Sequence, residues 1–313
     1  YLEFRYKQKD MKMKNFKKGL LASSVLVVGM LVGGVASANN IYVDLGSNDY
    51  DATFVFPNVG PAVDANFTTG IFTEFGFSAL MATSVYDMTD STILGDFYDT
   101  NIASELSGLG IPTSGTALDG STLVTLATPE AAEVDIDALS PIAPPINQDS
   151  EGFLLSWGLN VEYHFDGTLT ANGAQYTGGY FNVFFDDFVD DANDRQVIGA
   201  TITGSNMQVA NLDLFFDITM AEENWLYIEN NGAFIDAFDK VIEGDAGGEY
   251  AHLSIDTNVN PPVPTLDTLL LVGSDAIRQT TLDGSVVADI PEPTTLALLG
   301  LGLLGFAAAK RRK

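Results

Sequence analysis

The residues most capable of chemistry in this sequence are the clustered aspartates of the stretch FFDDFVDDANDRQ. Calcium binds about six to eight oxygen ligands in flexible geometry, which an acidic loop can supply. The stretch lacks the central glycine and the closing glutamate of an EF-hand loop. The sequence therefore predicts either an irregular calcium site or a solvated acidic loop, and calcium is the candidate cofactor. The candidate metal ligands are Asp186, Asp187, Asp190, Asp191 and Asp194.

Other residues that could do chemistry are few. The two histidines, His164 and His252, fall on the polar faces of predicted strands, where a histidine is more often a surface residue than a catalytic base. The sequence contains no G-x-S-x-G or H-E-x-x-H motif and no phosphate-binding loop, so we predict no catalytic residue. Trp157 and Trp225 could stack on sugars; alternation puts Trp157 in the core, Trp225 is predicted to be more open, and core packing is favoured for both.

Charge excludes some partners. Residues 39–290 contain three basic and 39 acidic side chains, a formal charge of −36. Nucleic acid is therefore excluded as a partner, because phosphate binding requires basic patches. Such a charge favours solubility and the accumulation of cations. The chain has no cysteine, which excludes disulfides, thiolate metal sites and a cysteine nucleophile.

Alternating apolar residues predict the elements that carry these side chains. In WGLNVEYHF, every second residue from Trp157 to Phe165 is apolar. NLDLFFDITM places Leu212 and each second residue up to Met220 on one face, and EYAHLSIDT does so with Ala251, Leu253 and Ile255. One apolar and one polar face per strand suit packed antiparallel sheets. We predict an all-β fold, an antiparallel β-sandwich or jelly-roll-like body over residues 39–290.

The composition of the remaining stretches predicts the turns and loops that connect the strands. Turns are predicted at TANGAQ, TGSN and ENNGAF, and the acidic cluster is predicted to connect a hairpin between YFNVFF and QVIGATITG. Residues 108–150, rich in Gly, Ser, Thr, Ala and Pro, read as a long loop. The Pro-rich stretch 258–265 reads as a loop inside the same domain. After it, two more strands are predicted around Asp283-Gly284.

The N-terminal stretch has the layout of a secretory signal peptide. We expect residues 1–10 to be upstream read-through and translation to begin at Met11 or Met13. A basic region and an apolar run to about Val35 follow, and then Ala36-Ser37-Ala38 offers a cleavage site at Ala36 and Ala38. Residues 1–38 are thus predicted to contain a signal helix that directs export by the Sec machinery.

The C-terminal stretch 291–313 combines three features. Pro291, Glu292 and Pro293 precede the apolar run Leu296–Ala309, and four cations close the chain: Lys310, Arg311, Arg312 and Lys313. A helix of this run spans about 21 Å at about 1.5 Å per residue, against about 30 Å of membrane hydrocarbon. The cations keep that end cytoplasmic. We predict a short transmembrane helix that inserts transiently in the inner membrane with the body on the far side.

This tail resembles the PEP-CTERM sorting signal of Gram-negative bacteria. The resemblance implies removal of the tail by exosortase, a membrane transpeptidase-like enzyme, in bacteria that make exopolysaccharide. The stretches GGYFNVFFDD, NLDLFFDITM and AIRQTTLDGSVVADIPEP also resemble exported PEP-CTERM proteins linked to floc formation. We therefore expect a non-enzymatic protein of the cell surface or extracellular matrix that supports biofilm or floc formation with exopolysaccharide as a partner. The alternative is a secreted carbohydrate-active enzyme or carbohydrate-binding protein on the same fold.

Overall fold

The structure is a computed structural model that describes residues 39–46, 50, 66–107, 109, 136–142 and 149–291. The predicted signal peptide with Ala36 and Ala38, most of the loop-rich stretch 108–150, and the tail from Glu292 to Lys313 lie outside the described residues. No helix of the described part is long and apolar enough to cross a membrane.

The described chain consists mainly of β-strands. The strands are β1 (Ile41–Val43), β2 (Glu74–Asp87), β3 (Gly95–Thr100), β4 (Ala138–Ser140), β5 (Trp157–Thr170), β6 (Gly173–Asp187), β7 (Arg195–Gln208), β8 (Asn211–Ala221), β9 (Leu226–Asn230), β10 (Ala233–Asp236), β11 (His252–Asn258), β12 (Leu270–Val272) and β13 (Asp275–Asp289). The helices are α1 (Ala103–Ser107) and α2 (Ala237–Asp245).

Eight of these strands form one curled antiparallel sheet that closes on itself. Strands β2, β3, β5, β6, β7, β8, β11 and β13 pair in this order, and β13 pairs with β2 from Asp275 opposite Asp87 to Val286 opposite Phe75. We call this the closed sheet; β4 and β12 extend it, and β1, β9 and β10 form a separate small sheet. Closure pairs strands that would otherwise present an open edge. The prediction of an all-β antiparallel fold is confirmed.

The predicted alternation places side chains inside the closed sheet. In β5 the apolar positions from Trp157 to Phe165 are buried. In β11 Leu253 and Ile255 are buried, and Ala251, just before the strand, is buried too. Met220 is an exception, because it is exposed at the end of β8. Gly199 pairs with Met220 while Ala200 pairs with Ile218, so a bulge at Thr219 moves Met220 to the outer face.

Two predicted turns are wrong because strands run through them. TGSN lies inside β7, where the register shifts between Ile202 and Gly204, and Asp283-Gly284 lies inside β13. A side chain at Gly284 would collide with the carbonyl oxygen of Asp256 and lie 2.6 Å from the Phe77 ring. Gly284 therefore permits a close approach between strands rather than a turn. TANGAQ and ENNGAF contain the turns predicted for them.

The order of the strands gives the closed sheet two distinct ends, because successive connections alternate between them. The connections after β2, β5, β7 and β11 lie at one end, which we call the loop end; they are 88–94, 171–172, 209–210 and 259–269. The acidic connection 188–194 lies at the opposite end, where β13 also ends at Asp289. The C-terminal tail therefore leaves the closed sheet at the end opposite the loop end.

Val209, at the tip of the β7–β8 hairpin, adopts an unfavourable backbone conformation. Its φ is +62° and its side chain is 88% exposed, so no packing offsets the strain on a β-branched residue. We expect Val209→Gly or Val209→Asn to raise the free energy of unfolding by about 1 kcal/mol in denaturant titrations. Val209→Ala is the control, because it keeps a Cβ and should gain little. A glycine variant less stable than the parent would contradict this reading.

Candidate functional site

The acidic connection between β6 and β7 is organised around one buried carboxylate. Asp187 is 2% exposed, and both of its oxygens accept hydrogen bonds. Oδ1 accepts from the backbone N–H groups of Val189 at 2.9 Å and Asp190 at 3.2 Å. Oδ2 accepts from the Tyr50 hydroxyl at 2.9 Å and the Asn193 amide at 2.7 Å. Burial alone would raise the pKa of Asp187, but these donors lower it below its ordinary value.

The other predicted metal ligands have separate structural roles. The Asp190 side chain accepts a hydrogen bond from the Ala192 N–H and caps the N-terminus of a short 3₁₀ helix, Asp191–Asn193. Asp194 accepts from the Asp187 N–H at 2.9 Å, and Asp186 accepts from the Asn160 amide at 3.1 Å. The carboxylates of the cluster therefore mainly accept hydrogen bonds from groups of the loop and of the neighbouring strand.

Arg195 supplies positive charge beside this loop. Its Nε donates to both carboxylate oxygens of Glu222 at 2.8 and 2.9 Å, and it donates to the Asn193 carbonyl at 3.0 Å. Its guanidinium also lies 4.6 Å from the centre of the Phe185 ring. Within the described residues, no group of three or more His, Asp or Glu side chains is arranged to hold a metal ion. Calcium binding by this loop stays a prediction.

The two histidines lie on the outer face of the closed sheet. His164 contacts Glu105 of α1 through Nδ1 at 2.8 Å and Asp166 through Nε2 at 3.3 Å, and its ring stacks on Tyr98. Burial alone would lower the pKa of His164, but the two carboxylates raise it above its ordinary value. His252 lies 3.4 Å from Asp217. Each arrangement resembles a surface ion pair more than a catalytic base.

The contact between Glu105 and His164 makes part of the stability depend on pH. Because the folded-state pKa of His164 is raised, its stabilisation is present below the unfolded-state pKa and is lost as pH rises through the folded value. We expect Glu105→Gln to lower the His164 pKa in an NMR titration. Glu162→Gln, a neighbouring change on β5, serves as the control. An unchanged pKa in the Glu105 variant would show that this contact is not formed.

Neither tryptophan is available for stacking on a sugar from outside. Trp157 is fully buried, as predicted, and its indole N–H donates to the Glu151 carbonyl at 2.8 Å. Trp225, predicted to be the more open of the two, is only 1% exposed, because it packs where the small sheet meets the core. The expectation of a more open Trp225 is therefore wrong, whereas core packing of both tryptophans is confirmed.

The interior of the closed sheet contains a cavity of about 60 Å³ that the sequence did not reveal. Aromatic and aliphatic side chains form most of its wall, including Phe97, Phe165 and Leu214. Asp99 of β3 reaches this wall and accepts a hydrogen bond from the Tyr176 hydroxyl. Burial raises the pKa of Asp99 above its ordinary value, although Ser84, Tyr176 and Arg278 favour its charged form.

Alternation on β3 could have indicated this inward carboxylate. Phe97 and Asp99 are both buried and share one face of the strand, while Asp96 and Tyr98 lie on the other. The stretch GDFYDT is short and acidic, which conceals the pattern that is clear in β5.

Comparison with known proteins identifies the C-terminal segment. The family model of the PEP-CTERM protein-sorting motif matches residues 289–313, which confirms the resemblance found in the sequence. No curated protein and no solved structure matches the chain. The matched segment begins at Asp289, the last residue of β13, so the motif follows the closed sheet without a spacer.

Proposed function

We propose that this exported PEP-CTERM protein, a substrate of exosortase, is a non-enzymatic component of the cell surface or extracellular matrix that supports aggregation of cells in biofilms or flocs. It is exported across the inner membrane, sorted through its tail, and then contacts exopolysaccharide as part of the matrix. The flocculation-associated PEP-CTERM proteins, which the body resembles, suggest the same role.

The observation that carries the proposal is the position of the sorting motif. Asp289 still pairs with His252 inside the closed sheet, and Ile290 is buried at 6% exposure. The Pro-Glu-Pro sequence begins at the next residue, Pro291. Cleavage within or beyond Pro-Glu-Pro therefore removes the tail while every strand of the closed sheet stays paired. A protein built this way keeps its fold after the tail is removed.

The charge of the body supports a matrix role. Only Arg195, Lys240 and Arg278 are basic between residues 39 and 290. Arg195 pairs with Glu222 and Lys240 with Glu243, so these cations compensate few of the carboxylates. A surface of this kind attracts divalent cations, which can bridge it to acidic polysaccharide or to further copies. We propose such bridging as the means of aggregation, and calcium as the bridging cation.

Deletion of the gene in the host bacterium tests the proposal. We expect the deletion strain to lose clumping, the full-length gene to restore it, and a gene ending at Ile290 to fail to restore it. Wild-type aggregates should also disperse when a calcium chelator is added and re-form when calcium is returned. Unchanged clumping in the deletion strain would refute the proposal.

A separate assay distinguishes the alternative of a carbohydrate-active enzyme. The exported protein is incubated with the exopolysaccharide of its host, and released reducing ends are measured. The proposal predicts no release above a protein-free control. Release that a single Asp or Glu substitution abolishes would establish the enzyme instead.

A further inference from the structure

The interior cavity has the composition of a binding site for a small molecule. It is open space of about 60 Å³ within a closed sheet of eight strands, whose interior is about wide enough to be filled by side chains or to hold one small ligand. Most of its wall is apolar, and the main apolar contributors are Phe77, Phe97, Val161, Phe165, Phe181 and Leu214. Ligand sites commonly combine such a wall with a few polar groups that fix orientation.

Asp99 is the polar group that points to a ligand. The residue is 8% exposed, and its Oδ2 accepts from the Tyr176 hydroxyl. Its Oδ1 is buried and has no hydrogen bond of normal geometry among the described residues, although the nearby Ser84 hydroxyl favours the charged form of Asp99. A buried polar atom left in this state is costly, and native proteins satisfy nearly all such atoms. A donor inside the cavity would supply the missing hydrogen bond.

The loop end provides a route into the cavity. Val259 and Pro262, from the connection that follows β11, line the cavity as a roof. Arg278 of β13 holds this connection by donating to the carbonyl oxygens of Asn260 at 3.1 Å and Pro261 at 3.0 Å. These contacts lie partly in solvent, where hydrogen bonds exchange with water at small net cost. The roof is therefore held by the polar contacts of Arg278 as well as by the apolar packing of Val259 against the core.

The charges around the cavity restrict what can bind. Arg278 lines the cavity and already places one cation near Asp99, which disfavours a second cation, and Asp99 itself disfavours an anion. A hydroxyl group donates to a carboxylate and accepts from a carboxylic acid, so it bonds to Asp99 in either protonation state. The cavity of about 60 Å³ admits only a molecule of a few heavy atoms, since a cavity of about 150 Å³ holds one benzene molecule.

We propose that the cavity is a binding site for a small neutral alcohol with a short aliphatic body, whose hydroxyl group bonds to Asp99 Oδ1. The ligand enters at the loop end past residues 259–262. Since the sorting tail leaves the opposite end of the closed sheet, the site stays accessible while the protein is attached to the membrane. This site is independent of the matrix role, so either proposal can fail without the other.

The test is a methyl NMR titration of the exported protein with ethanol. We expect saturable shifts at the cavity methyl groups of Val161 and Leu214. Ethyl chloride has nearly the same shape but no hydroxyl group, and it should bind at least about tenfold more weakly. No shifts at these methyl groups, or shifts confined to exposed Val209, would overturn the proposal.

Two variants locate the site. Ala82→Val fills the cavity wall away from Asp99 and should abolish the shifts, and Asp99→Asn should weaken binding about tenfold. Circular dichroism and the spectra without ligand verify that each variant is folded. If Asp99→Asn does not fold, the comparison of alcohol with chloride in the unmodified protein still decides the role of the hydroxyl group. Equal affinity for the two probes would overturn the assignment of Asp99.

Discussion

Replacement of Trp157 by alanine is expected to lower the free energy of unfolding by about 3–5 kcal/mol. The side chain is fully buried at the start of β5, and its ring stacks on Phe185 at 5.5 Å and contacts Phe153 at 4.9 Å between ring centres. Alanine would leave a cavity lined by these rings and would remove the indole N–H that donates to the Glu151 carbonyl. Denaturant unfolding of the exported protein, followed by circular dichroism, measures the loss.

Phenylalanine variants of the two tryptophans separate packing from hydrogen bonding. Trp157→Phe keeps an aromatic ring but loses the indole N–H that donates to Glu151. Trp225 is equally buried, yet its indole N–H has no hydrogen-bond partner among the described residues. We therefore expect Trp157→Phe to cost about 1 kcal/mol more than Trp225→Phe. Equal losses would mean that the bond to Glu151 contributes nothing to stability.

Asp187→Ala should produce the second largest loss, about 3 kcal/mol. The substitution removes the carboxylate to which four groups donate: the Tyr50 hydroxyl, the Asn193 amide and the N–H groups of Val189 and Asp190. Each unsatisfied buried donor costs about 1–3 kcal/mol, but the exposed part of this loop can recruit water, which reduces the total. The free energy of unfolding, measured near neutral pH, gives the result.

Asp190→Ala is the matched control on the same loop. The Asp190 carboxylate accepts from the exposed Ala192 N–H at 3.2 Å, so we expect a loss of about 1 kcal/mol, as for a helix cap. A loss in Asp190→Ala as large as that in Asp187→Ala would contradict the central position of Asp187 in the loop.

The pH dependence of stability gives an independent check on Asp187. Because the folded-state pKa of Asp187 is lowered, its stabilisation is present above the unfolded-state pKa and is lost as pH falls through the folded value. Asp187→Asn should therefore flatten the acid side of the stability profile, below about pH 4. A variant with an unchanged acid profile would show that the carboxylate is not charged in the fold.

The strands that the sequence predicted best are those with strict alternation. In β5 each second residue from Trp157 to Phe165 is apolar, and these residues are buried, because the side-chain period of two fixes which face turns inward. Met220 departs from the pattern because a bulge adds one residue to β8. A single sequence does not indicate where a bulge will form, since the extra residue has no required type.

Closure of the sheet and the interior site could not be predicted in the same way. The pairing of β13 with β2 joins residues about 200 positions apart, such as Gln279 and Thr83, and no local pattern specifies it. Nothing in the composition distinguishes Asp99 from the other carboxylates of this acidic chain. The short alternation on β3 indicates its inward position only weakly, and the strand pairing makes that position evident. Helix α2 was missed as well, because its nine residues carry only a short apolar stripe.

The acidic connection between β6 and β7 shows which features of a loop can be predicted from its composition. Its place between β6 and β7 was predicted correctly, since turn-favouring residues separate two apolar stretches. The distribution of its carboxylates was not predicted, because hydrogen-bond partners such as Tyr50 lie far away in the sequence. The sequence therefore identified the loop and left the role of each aspartate to the structure.

The most direct test of the central claim is the intact mass of the protein isolated from the cell surface. The account predicts a chain that retains β13 through Asp289 and lacks the apolar run 296–309 and the basic residues from Lys310 to Lys313. In a strain without exosortase, the same protein should keep its tail and remain in the membrane fraction. A full-length chain recovered from the cytosol of wild-type cells, with both ends uncut, would contradict the account.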